Sequence, residues 1–126
     1  MRNLLQDVAA FHAACDVPVL HEPTIPPAAR VDLRVALIAE EATELTEAMK
    51  AGDMLEIADG MADLIYVTVG AALEFGIPLD RVWAAVQQTN MAKVDPTTGK
   101  VRKRDDGKVL KPEGWQPPDI AAAIGR

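Results

Sequence analysis

Between Glu40 and Asp63 the chain reads EEATELTEAMKAGDMLEIADGMAD, and no other stretch restricts its folding as strongly. It holds eight carboxylates, Glu40, Glu41, Glu44, Glu47, Asp53, Glu56, Asp59 and Asp63, with Lys50 as the sole cation among them. Like charges one helical turn apart cost about 0.2–0.5 kcal/mol per pair unless something neutralises them. The simplest neutraliser of convergent carboxylates is a hard divalent cation, which takes oxygen ligands.

The apolar pattern around these acids places them on two helices. Val31, Val35, Ile38, Ala42, Leu45 and Met49 alternate at spacings of three and four, which predicts an amphipathic helix from Pro27 or Ala28 to about Ala51. At about 100° per residue, Glu41 projects roughly 60° to one side of Ile38, with Leu37 and Ala48 beyond it. Glu44 stands one turn further along the same edge, whereas Glu40 and Glu47 lie opposite the stripe, where solvated acids belong. Gly52 ends this helix and Asp53 starts the next. Asp53 and Glu56 have the spacing of an N-terminal capping pair, so Glu56 has a structural explanation that stands level with a metal-binding one.

A third helix is predicted from Met54 to about Phe75, stopped by Gly76 and Pro78. From Ile57 onward it is apolar nearly all round and should be the central, most buried helix. Glu56, Asp59, Asp63, Tyr66 and Gly70 fall within one sector of roughly 80°. Aspartates inside such a helix are costly unless paired, protonated or bound to metal, and this helix has no Lys or Arg. Gly60 costs about 0.5–1 kcal/mol relative to Ala and implies close approach of a helix or ligand.

Leu4, Leu5, Val8, Phe11 and Cys15 mark a first helix from Asn3 to about Ala14, with His12 on or near its stripe as a packed residue rather than a ligand. Pro18, Pro23, Pro26 and Pro27 then make residues Asp16 to Ala29 a loop, with His21 exposed. A fourth helix, capped by Asp80, should turn Leu79, Val82, Trp83 and Val86 inward; Asn90 continues that face and Lys93 follows within a turn. Beyond it the chain becomes basic and turn-rich: seven of its thirteen Lys and Arg residues lie between Lys93 and Lys111. Val101 to Leu110 is expected to form a small hairpin around Asp106-Gly107, and Asp119 to cap a short helix to Ile124. This basic segment reads as a solvated tail, a partner-binding arm, or a clamp that grips metal-bound phosphates.

The whole is expected to be one all-α domain over residues 1–126, a four-helix-bundle-like core of about 3–93 followed by a basic segment of about 94–126. A net charge of −6 argues against general nucleic-acid affinity. The lone Cys15, the polar residues in MRNLLQDVAA and the shortness of the run Leu64 to Leu73 lead to an expectation of a cytoplasmic protein without a membrane span. An apolar third helix in so small a chain is expected to bury part of its surface in a partner subunit.

Carboxylates from two antiparallel helices, without histidine, make an all-oxygen cage that selects Mg²⁺ or Mn²⁺ over zinc. A di-iron bundle would want Glu-x-x-His pairs, and neither histidine lies near these acids. The blocks EEATEL, EIADGMADLIYVTVGAALEFGI, QQTNMAKVDP and DDGKVLKPEGWQPPDI resemble the MazG-like all-α nucleoside triphosphate pyrophosphohydrolases, in the branch with phosphoribosyl-ATP pyrophosphohydrolase-like and dUTPase-like proteins. The resemblance implies a MazG-type four-helix core, a homodimer or dimer of dimers, and Mg²⁺-dependent cleavage of a (d)NTP between its α and β phosphates. The products would be a nucleoside monophosphate and pyrophosphate, a reaction suited to house-cleaning of the nucleotide pool. A phosphoribosyl-ATP pyrophosphohydrolase and a non-catalytic helical nucleotide-binding or regulatory module are the alternative readings.

Carried over by motif, the resemblance makes Glu41 and Glu44 metal ligands and gives Glu40 the attacking water to orient or deprotonate, so that Glu40 and Glu41 form the catalytic pair. Asp63 matches the aspartate of an ExxD motif whose glutamate is replaced here by Gly60. Asp59 is the substitute metal ligand, although Glu56-Ile57-Ala58-Asp59 also spells ExxD and leaves the register open by one turn. Asn90 and Lys93 match an N-x-x-K segment that contacts substrate phosphate, with Lys108 and Lys111 assisting from the basic segment. No Ser, Cys or His nucleophile arrangement is present, which favours direct attack by water. The base pocket is expected to use the first helix and the Pro-rich loop, near Phe11 and His12.

Overall fold

In a computed structural model, which describes residues 3–126, five helices and two short strands form. Helix α1 spans Leu4–Ala14, α2 Ala28–Ala51, α3 Met54–Phe75, α4 Leu79–Met91 and α5 Ile120–Ala123; strands β1 and β2 are Val94–Asp95 and Lys100–Val101. Local chemistry sets the helix ends. The Asn3 side chain accepts the Gln6 backbone N–H at 3.1 Å, which satisfies one of the orphan donors of α1. Pro27 precedes α2, where its fixed φ suits helix entry and its missing N–H is no loss. Gly52 and Gly76 close α2 and α3 in the left-handed conformation, at φ 69° and 67°.

Two compact units result, one running to Ile77 and the other from Pro78 to Arg126. Helix α4 groups with the basic segment in the second of these units. In the first unit α3 packs against both α1 and α2. Its buried apolar side chains are few and small: Val8, Ala48, Val69 and Ala72. The third helix does supply the most buried positions, Gly60, Val69, Gly70, Ala72 and Glu74. From Ile57 onward it is not buried all round, however, because Met61, Ile65 and Tyr66 are exposed. The Pro-rich loop is pinned to the end of α3, with Leu20 N–H donating to Leu73 O at 2.9 Å and Thr24 N–H to Phe75 O at 2.8 Å.

In the second unit α4 packs against α5, whose first turn is capped by Asp119 through the Ala122 N–H at 3.0 Å. Strands β1 and β2 pair antiparallel, Val94 opposite Val101 and Asp95 opposite Lys100. The expected turn at Asp106-Gly107 is present, closed by a single bridge between Lys103 and Val109. Two expectations fail here. Asp80 lies inside the first turn of α4 and Pro78 occupies the cap, because the helix begins two residues earlier than a cap at Asp80 would allow. Trp83 is 71% exposed and Val86 is exposed too, so the inward face of α4 is narrower than its sequence pattern implied. Among the described residues no single helix is long and apolar enough to cross a membrane.

Candidate active site

The amphipathic pattern of α2 leaves Glu41 half-buried on its edge, while Glu40 and Glu44 are exposed. Glu41 Oε2 is buried without a hydrogen-bond partner. Burial first, then the charges of Glu44, Asp63 and Glu40, and a shared-proton contact with Glu44 hold the Glu41 carboxyl above its ordinary pKa. Asp63 reaches this group from α3, where it is half-buried. The structure therefore gathers Glu40, Glu41, Glu44 and Asp63 electrostatically, and Asp59 stands outside them as an exposed residue.

Gly60 is explained by packing. A Cβ there would stand 3.2 Å from Leu45 Cα, so α2 and α3 approach closely and any side chain at this position would push Leu45 back by a few tenths of an ångström. Glu56 is exposed, and its part in the cap is played by its backbone: the Glu56 N–H donates to Asp53 Oδ1 at 3.3 Å.

A hard cation fits these residues by donor type, since all are carboxylates, and by the unpartnered Glu41 oxygen with its unrelieved charge. The side chains as placed do not close around an ion: among the described residues no group of three or more His, Cys, Asp or Glu has a metal-holding arrangement.

A second polar cluster escaped the sequence reading. Arg30 Nε and Arg34 Nε donate to Glu74 at 2.5 and 2.7 Å, and Arg34 Nη2 lies 3.3 Å from His12 Nε2. Glu74, His12 and Arg34 are buried, at 2%, 4% and 7% exposure. His12 is thus a packed residue, as expected, and burial followed by the Arg34 charge lowers its pKa so that it stays neutral. The hydrogen bond from Arg30, with that of Arg34 behind it, outweighs burial and pulls the Glu74 carboxyl down to about 2. Gly70 makes room for this cluster, since a Cβ there would lie 2.9 Å from Arg34 Nη1 and 3.0 Å from His12 Nε2. The available signal was the Arg30–Arg34 pair, one turn apart beside the stripe of α2, and Glu74 near the end of an apolar helix.

In the second unit Lys93 Nζ donates to Asn90 Oδ1 at 3.0 Å, so the N-x-x-K pair is preassembled within one turn. Lys93 Nζ also lies 5.1 Å from the Trp115 ring centre, with Lys111 Nζ at 4.9 Å, and Trp115 Nε1 donates to Thr89 O at 2.7 Å. Lys111, rather than Lys108, therefore accompanies Lys93. Lys108 is exposed, and the Asp106–Gly107 turn holds it by its backbone N–H.

Residues 8–90 match the sequence profile of the phosphoribosyl-ATP pyrophosphohydrolase family, and the chain belongs to that family. A solved structure of a candidate NTP pyrophosphohydrolase from Exiguobacterium sp. 255-15 is similar over 99% of this chain and 95% of that one, at 30% identity and a TM-score of 0.54. The all-α, MazG-type architecture is therefore shared. An uncharacterized protein, L479, of Acanthamoeba polyphaga mimivirus is 44% identical over 50 residues; the match spans 40% of this chain and 20% of that protein.

Proposed function

We propose that the protein is a Mg²⁺-dependent nucleotide pyrophosphohydrolase, which cleaves a (d)NTP between the α and β phosphates to a nucleoside monophosphate and pyrophosphate. The observation that carries this reading is Glu41, a half-buried carboxylate with an unpartnered oxygen, pressed by three other acids in a chain of a pyrophosphohydrolase family. Glu41, Glu44 and Asp63 would hold the cation, Mg²⁺ or in its place Mn²⁺, with Asp59 one turn away on α3 as the outer ligand. When bound, the cation neutralises phosphoryl oxygens and lowers the pKa of a coordinated water.

The chain's own residues supply the rest. Glu40 is exposed beside Glu41 and can accept a proton from the attacking water. By the N-x-x-K resemblance Asn90 and Lys93, joined by a hydrogen bond, would contact phosphate oxygens, and phosphoryl chemistry asks mainly for positioning and charge. A cavity of about 250 Å³ between α1 and α3, lined by Leu4, Asp7, Val8, Ile65 and Tyr66, would suit a nucleobase, in keeping with a base pocket that uses the first helix. A second reading, phosphoribosyl-ATP as the substrate, is favoured by the family match.

Pyrophosphate release from a panel of standard and modified (d)NTPs and from phosphoribosyl-ATP, with and without Mg²⁺, tests both. Turnover of one or more (d)NTPs is the expected result. Turnover of phosphoribosyl-ATP alone selects the second reading, and no turnover of any substrate overturns the activity.

A further inference from the structure

His12 ties α1 to the other long helices by a polar contact that the cleavage chemistry does not use. Its Nε2 lies 3.3 Å from Arg34 Nη2 of α2, and Glu74 of α3 completes the group by accepting from Arg34 Nε at 2.7 Å. A guanidinium only donates, so the contact requires a bare Nε2 and leaves the proton of the neutral ring on Nδ1. That Nδ1 is buried without a hydrogen-bond partner. A second proton would add an N–H at Nε2 and set donor against donor beside a positive charge. The contact attracts while the ring is neutral and repels once it is charged. The charged groups that act on the ring are Arg34 and Arg30 of α2 and Glu74 of α3. Burial and then the Arg34 charge lower its pKa from 6.5, which puts the change on the acid side of that value.

The same junction of three helices borders the apolar cavity of α1 and α3. Val8, one turn before His12, and Val69, next to Gly70, both line that cavity. Gly70 supplies the space in which the His12 and Arg34 side chains meet; a Cβ there would lie 2.9 Å from Arg34 Nη1 and 3.0 Å from His12 Nε2. Phe11, adjacent to His12, meets Tyr66 of the cavity wall edge to face, with ring centres 5.9 Å apart. Both rings are exposed, at 54% and 40%, so little other packing holds them together. Release of His12 from Arg34 therefore acts on the α1 wall of the cavity.

We propose that His12 is a positioning residue for this cavity: paired with Arg34 it holds the α1 wall against α3, and in acid it lets that wall move away and weakens binding of the base of a nucleotide. The effect on the base rests on the proposed function, which seats the base there; the pairing and its hold on α1 do not.

The contact between the Phe11 and Tyr66 rings reads the wall without any turnover, and Tyr66 is the single tyrosine of the chain. Its nuclear Overhauser effect in the full-length protein is expected to weaken on acidification from about pH 7.5 to 5, with circular dichroism confirming that the chain stays folded. His12→Gln keeps a side-chain acceptor that cannot take a charge, and should hold the effect constant over that range. Gly70→Ala, whose Cβ displaces the flexible Arg34 terminus, should weaken it already at neutral pH. In kinetics with a (d)NTP, KM should rise about two- to tenfold more in the native chain than in His12→Gln over the same range, the worth of one hydrogen bond, with parallel kcat profiles. The Ki of inorganic tripolyphosphate, which has no base, should change equally in the two proteins. A ring contact that ignores pH, or that weakens equally in His12→Gln, overturns the proposal. A Ki that diverges as KM does overturns it as well, because the effect then does not pass through the base. The predicted ring response with an unmoved KM supports the hold of His12 on α1 and removes the base from this cavity. The same response in a protein that hydrolyses no nucleotide supports it and removes the activity reading instead.

Discussion

Glu74 lies between two guanidinium groups at 2% exposure, and this one carboxylate ties α3 to two turns of α2. Its pKa of about 2 against an ordinary 4.5 means that its contribution is complete above pH 4.5 and is lost as pH falls towards 2. His12 acts in the same direction from a higher pH. Its pKa is lowered from 6.5, so its contribution is present above 6.5 and declines as acid forces a charge beside Arg34. Glu41 has the opposite sign: a raised carboxyl contributes most in acid and less as pH rises through its value. Unfolding midpoints in urea should therefore fall in two steps on acidification, one below about pH 6.5 and one below 4.5. Glu74→Ala should remove the lower step and cost about 3–5 kcal/mol at neutral pH by leaving buried guanidinium charge uncompensated. A single step at the same pH in both proteins would refute the assignment. At this scale the sequence exposed Glu41, because an acid flanked by Leu37 and Ala48 on a helix edge has no bland explanation. It hid Glu74, whose partners lie 40 and 44 residues away and become visible only when α2 and α3 pack.

The ranges of α2 and α3 were legible because period and punctuation agreed: apolar spacings of three and four ended at Gly52 and Gly76, and Asp53 capped the second helix. The start of α4 was not, since Asp80 competes with a proline that enters a helix equally well. Strands β1 and β2 are two residues each, too short for any alternation to register. Gly76 shows how much one junction can carry. It is left-handed, and a Cβ there would collide with the Glu22 backbone carbonyl of the Pro-rich loop. Gly76→Ala should cost about 2–4 kcal/mol, combining left-handed strain of ~1 with overpacking of 1–3, and should loosen the loop from α3. Amide exchange at Leu20 and Thr24, which donate to Leu73 and Phe75, checks this; unchanged protection there would contradict it.

For the chain as a whole, the small set of buried side chains contrasts with the apolar groups left open: Leu55, Ile25, Met54 and Trp83 are 82%, 78%, 73% and 71% exposed. If a second copy covers these groups, as proposed for a chain with so small a core, a homo-oligomer should appear as a multiple of 13.5 kDa in light scattering at micromolar concentration. Its thermal midpoint should rise with protein concentration; a monomer with a concentration-independent midpoint would contradict this. The fold class was readable from composition and period. Of the acids singled out in the sequence, Glu44 and Asp63 act electrostatically on Glu41, while Asp59 is exposed, a difference that depends on how α2 and α3 pack. On the proposed function Glu41, Glu44 and Asp63 serve a divalent cation in nucleotide cleavage. The most direct measurement is the initial rate of pyrophosphate release from a (d)NTP substrate in EDTA and after Mg²⁺ addition, for the native chain, Glu41→Gln and the solvent-facing control Glu47→Gln. The predicted result is release abolished by EDTA, restored by Mg²⁺, retained in Glu47→Gln and lowered at least about 100-fold in Glu41→Gln, since even indirect metal contacts are worth 10–100-fold. Release that survives EDTA, or that is unchanged in Glu41→Gln, would contradict it.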